Sequence, residues 1–161
     1  MQTMFIALRA LFYMTCFVWC FGWLALQVQP LDDRLGMALP AWGEVAGVIL
    51  MVAGAALVLV CAGMFIVRGR GTPAVFDPPR HFVALGPYRL VRNPMYLGGL
   101  TLFVGFALAR RSLSMLLLAL GLFGVFHLFV AFIEEPGLER RFGQSYLDYK
   151  KSHNRWLPKF P

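Results

Sequence analysis

Residues 94–135 read PMYLGGLTLFVGFALARRSLSMLLLALGLFGVFHLFVAFIEE, and they decide the fold. Between Pro94 and Ile133 the only charged side chains are Arg110 and Arg111, so two apolar runs flank a short polar turn: about Pro94 to Ala109, and about Leu113 to Ile133. A helix needs about 20 apolar residues to cross the ~30 Å hydrocarbon core of a bilayer. Pro94 suits a first helical turn, where its missing N–H removes no bond. The stretch predicts an antiparallel helical hairpin in a membrane, with a first limb that is short for a perpendicular crossing.

Upstream, an aromatic-rich apolar run from about Ala10 to Val28 carries Trp19 and Trp23 late, where amphipathic rings favour the interface. No small-x-small cleavage pattern follows it, so it reads as a mature spanning helix. A polar connection, Gln29 to Pro40, leads to a second span from about Trp42 to Val67, whose Gly47, Ala53, Gly54 and Ala55 permit close helix approach. Downstream, Pro136 opens a further helix, about 136–152. There Leu138, Phe142, Tyr146 and Tyr149 recur at helical spacing opposite Arg140, Arg141, Lys150 and Lys151, the pattern of an interfacial amphipathic helix. The expected fold is an all-α, single-domain polytopic membrane protein over 1–161. It has about four transmembrane helices, a hairpin of the third and fourth, and a C-terminal amphipathic helix.

With 59% hydrophobic and 14% charged residues, the composition lies outside the usual balance of a soluble domain. The net charge of +7 sits in connections and tail, as the preference of Lys and Arg for the cytoplasmic side produces. Membrane lipids are therefore the expected partners, and nucleic acid is not. The loop 68–93 holds Arg68, Arg70, Arg80, Arg89 and Arg92 with Asp77 its only acid, and its Pro73, Pro78, Pro79 and Pro87 oppose regular helix. It reads as a cytoplasmic functional loop, with both termini on the same side. Cys16, Cys20 and Cys61 lie in apolar stretches without metal-ligand companions, so neither a metal site nor a disulfide is expected.

On that shared face the hairpin brings the loop before Pro94 close to Glu134 and Glu135. A helix start with free N–H groups favours a carboxylate, and a glutamate favours an ammonium. An amino-acid zwitterion satisfies both. Tyr88 and Tyr96 add π faces for a sulfonium or an adenine ring, and the set describes S-adenosylmethionine. Arg92 and Arg155 are candidates to hold an anionic substrate head. His127, at membrane depth, predicts either pocket lining or an interhelical hydrogen bond.

RNPMYLGG (92–99), an apolar hairpin, and EEPGLERRFGQSYLDYKKSHNRWLP (134–158) in that order resemble the isoprenylcysteine carboxyl methyltransferase family and its phospholipid methyltransferase relatives. Those families share RHPxY, a later EE and FGxxYxxY, and the resemblance runs from Phe76 to Pro158. It implies an integral membrane methyltransferase with S-adenosylmethionine touching Arg80, His81, Phe82, Val83, Tyr88, Asn93, Pro94, Met95 and Tyr96, and Glu134 receiving its amino group. Asn93 replaces the commoner histidine. Val130 stands where the prenylcysteine enzymes carry an arginine.

Methyl transfer from a sulfonium depends on positioning and exclusion of water. A carboxylate acceptor on a lipid-like stem needs no base, and O-methylation is the favoured expectation. An amine acceptor, as on a phospholipid, calls on Glu135 or His81 to take a proton. Two alternatives remain: a membrane reductase, whose Gly-rich dinucleotide fingerprint the loop lacks, and a non-catalytic membrane subunit.

Overall fold

The computed structural model describes residues 2–36, 39–74, 77 and 79–159; Phe76 and Pro78, used above, lie outside them. All regular structure among the described residues is helical: α1 (Gln2–Val28), α2 (Pro30–Leu35), α3 (Gly43–Met64), α4 (Pro94–Ala109), α5 (Leu113–Phe129), α6 (Glu135–Phe142) and α7 (Gln144–Ser152). Three helical stretches are long and apolar enough to cross a membrane: Gln2–Arg34, Gly43–Gly69 and Leu113–Phe142. Helix α4, with 16 residues, is shorter. At 1.5 Å per residue it reaches about 24 Å.

Three features depart from the periodicity reading. Helix α1 begins well before the apolar run. Helices α3 and α5 each end in a π-helical turn, Phe65–Gly69 and Val130–Glu134, which widens the helix just before it enters the polar end of the molecule. The single amphipathic helix expected over 136–152 is two helices, because Gly143 at φ +53°, ψ −129° takes a conformation that side-chain-bearing residues rarely adopt.

The tightest packing joins α3 and α4, not the α4–α5 hairpin. A Cβ on Gly47 would lie 2.6 Å from the Gly105 carbonyl oxygen, and one on Gly54 would lie 2.6 Å from that of Gly98. The two glycine pairs, seven residues apart on each helix, let the backbones meet directly. On the other side of the hairpin, Ala25 of α1 packs with Phe103, Ala107, Met115 and Ala119.

The far end is closed by the connection after α1. Asp32 accepts from the Ser114 amide at 2.8 Å and Ser112 from the Met115 amide at 3.1 Å, so two side chains cap α5. Arg110 donates to Gln29 at 2.9 Å, and Arg111 to the Leu39 carbonyl at 2.9 Å, with Glu44 at 3.8 Å. The arginines at the hairpin tip are thus satisfied locally. At the opposite end Arg9 of α1 pairs with Asp77 at 3.3 Å, so the start of α1, the loop before α4 and the end of α5 share one face.

Candidate active site

A cavity of about 450 Å³ opens on that face between the loop, the end of α5, and α6–α7. The loop wall is fixed through its backbone. The Tyr149 hydroxyl donates to the Tyr88 carbonyl at 2.6 Å, and the chain after α7 pairs with the segment before α4. There the Arg92 amide donates to Asn154 O at 2.9 Å and the Asn93 amide to Arg155 O at 3.3 Å. The Asn93 side-chain amide also donates to Arg155 O and does not cap α4, whose first turn is left without a side-chain acceptor.

Six sequence-nominated residues line the cavity: Phe82, Val83, Tyr88, Arg92, Asn93 and Glu134. Tyr96 stands behind Glu134 and donates to its Oε2 at 2.6 Å. Met95 packs on the cluster of Cys61, Val83 and Tyr88, and Pro94 is buried. Arg80 and His81 are exposed and do not line the cavity.

Glu135, only 2% exposed, does not line the cavity; it is the anionic centre of a cation cluster behind Arg92. Arg155 binds it through both Nε (2.8 Å) and Nη2 (2.9 Å). Arg92 Nη1 lies 3.1 Å away and Lys150 Nζ 3.6 Å away. A buried carboxylate so surrounded is a structural anchor, since removing it leaves the buried Arg92 uncompensated. The Arg92 side chain is 9% exposed; its Nη1 is ion-paired with Glu135, and its Nε has no partner among the described residues. Buried donors on a cavity wall without partners mark where a ligand can satisfy them.

Burial pushes the hydroxyls of Tyr88, Tyr146 and Tyr149 well above the usual phenol range, so all three are protonated donors at neutral pH. Hydrogen bonding to Glu135 raises Arg155 further above its already high value.

Periodicity missed the outer wall. Arg140, Arg141, Phe142, Tyr146 and Tyr149 line the cavity, and the Phe82 ring packs 5.5 Å from that of Phe142 and 5.1 Å from that of Tyr149. The face assigned to the membrane interface instead meets the loop. FGQSYLDY (142–149) was the available signal, because its aromatic spacing fits a protein surface as well as a lipid one. His127 accepts from the Trp156 indole at 3.0 Å, which resolves its two expected roles in favour of a hydrogen bond, here to the tail.

No curated protein and no solved structure matches the chain. The family model described as Phospholipid methyltransferase matches residues 42–145, more than half the chain, from the start of α3 through the loop, the hairpin and α6. Helical architecture, membrane-length spans and this match agree, and the chain belongs to the phospholipid methyltransferase family of membrane methyltransferases.

Proposed function

We propose that the protein is an S-adenosylmethionine-dependent methyltransferase that modifies a lipophilic carboxylate at the cytoplasmic face of the membrane, with 1–161 acting as one domain. The observation that carries this reading is the pairing, on one cavity wall, of a carboxylate with a free oxygen and a guanidinium with an unpartnered Nε. Glu134 Oε1 is left for an ammonium by the Tyr96 bond to Oε2. Arg92 Nε is left for a carboxylate, with Nη1 held by Glu135. Phe82 and Tyr88 supply ring faces beside them. When bound, S-adenosylmethionine would supply an electrophilic methyl group on a sulfonium.

The residues favour an acceptor that needs no base. Glu135 is held by Arg92, Arg155 and Lys150, and His81 is exposed outside the cavity. Arg155, spent on Glu135, positions Arg92 and does not reach into the cavity itself. Arg92, Arg140 and Arg141 give the walls a positive balance against Glu134, which attracts an anionic acceptor. A second reading, N-methylation of a phospholipid amine, is supported by the family description.

Transfer of a labelled methyl group separates the two. The full chain in bilayers is offered a thioether-linked lipid carboxylate or phosphatidylethanolamine, and the product is treated with base. Label released as volatile methanol from the carboxylate acceptor supports O-methylation. Base-stable label in phosphatidylethanolamine alone supports the second reading, and transfer to neither sinks both.

A further inference from the structure

Along one edge of the α5–α6 continuation, Ile133, Gly137, Arg140 and Arg141 all line the cavity. Their spacing of three and four residues stacks them on one helix face. Ile133 lies on a membrane-length stretch and is 54% exposed, with Phe132 beside it at 73%. Gly137 has nothing within 4 Å of where a Cβ would stand. The edge therefore runs from apolar surface, through an open cleft, to two exposed arginines.

Among the described residues neither arginine is paired with an acid, and most acids at this end are engaged elsewhere. Asp77 holds Arg9, Glu134 accepts from Tyr96, and Glu135 holds Arg92, Arg155 and Lys150. Glu139 takes Lys150 at 2.5 Å, and Asp148 takes Gln144 and Lys151. Among the described residues Arg141 makes a ring contact, its guanidinium carbon 5.7 Å from the centroid of Phe142.

We propose that Ile133, Gly137, Arg140 and Arg141 form a lateral site for an anionic phospholipid, its headgroup on the two arginines and its chain against Ile133 and Phe132. Free phosphate would gain nothing from the apolar half of this edge. A lipid uses both halves, and guanidinium pairs bidentately with a phosphate ester. The site shares its cavity with the methyl-transfer reading but requires neither Glu134 nor Arg92, so lipid selectivity can fail while cofactor binding stands.

The test is the selectivity of protein-associated lipid, read by electron paramagnetic resonance. The full chain sits in phosphatidylcholine bilayers doped with spin-labelled phosphatidylglycerol or spin-labelled phosphatidylcholine. The wild type is expected to prefer the anionic lipid several-fold at low salt and to lose most of that preference at ~1 M salt, where screening is short-ranged. Arg140→Gln/Arg141→Gln is expected to cut it by roughly five-fold or to parity. Gly137→Leu fills the cleft without changing charge and lowers it as well, while Arg34→Gln at the far end leaves it intact. No preference in the wild type, a preference that survives high salt, or one retained in the double variant overturns the proposal.

Discussion

Glu134 and Glu135 are adjacent in sequence and differ entirely in surroundings. Glu134 faces the cavity with one oxygen bound by Tyr96, whereas Glu135 is enclosed by Arg92, Arg155 and Lys150. Substituting each should therefore have a different effect. Glu135→Gln leaves Arg92 and Arg155 without their counter-charge, while Lys150 keeps Glu139, and thermal unfolding in detergent should show a loss of roughly 3–5 kcal/mol. Tyr96→Phe removes a single hydrogen bond to a charged group and should lower stability by about 1.5–3 kcal/mol, leaving a folded protein with weakened S-adenosylhomocysteine binding. If Tyr96→Phe unfolds the protein as Glu135→Gln does, the two carboxylates are one structural unit. The glutamate pair and Arg92 were legible in the sequence as charges in an apolar setting. Their division of labour was not, since it depends on Arg155 returning from 20 residues downstream.

At the scale of elements, the hairpin and the spans were visible because long apolar runs dominate any window. The π-helical turns at Val130–Glu134 and Phe65–Gly69 were not, since a slightly widened turn barely alters composition. The break at Gly143 was hidden by aromatic spacing that continues across it. The α3–α4 contact makes a sharp expectation: Gly54→Val must push Cβ into the backbone of α4 and should cost about 1–3 kcal/mol in thermal unfolding. Gly63→Ala, with open space around it, should be neutral. Equal effects at the two glycines would contradict the direct backbone contact. The tail is held on the hairpin through Trp156 and His127. Trp156→Phe should remove about 1 kcal/mol and speed amide exchange over 153–159, with α4 unaffected.

Across the whole molecule, charge is segregated by end. Of 15 basic and eight acidic residues, Arg34, Arg110 and Arg111 face Asp32, Asp33 and Glu44 at the far end; the remaining twelve basic and five acidic residues share the cavity end, which carries the entire +7. If this charge follows the preference of basic residues for the cytoplasm, as the proposed cytoplasmic site requires, the cavity end faces inward. A green fluorescent protein fused to the C-terminus should fluoresce in cells, and alkaline phosphatase there should be inactive; the reverse pattern would invert the topology. The cavity's capacity to bind the cofactor is read by calorimetric titration of the detergent-purified protein with S-adenosylhomocysteine. Saturable binding that Glu134→Gln abolishes in a folded variant is the predicted result. No binding by folded wild-type protein, or binding of NADPH instead, would contradict the account.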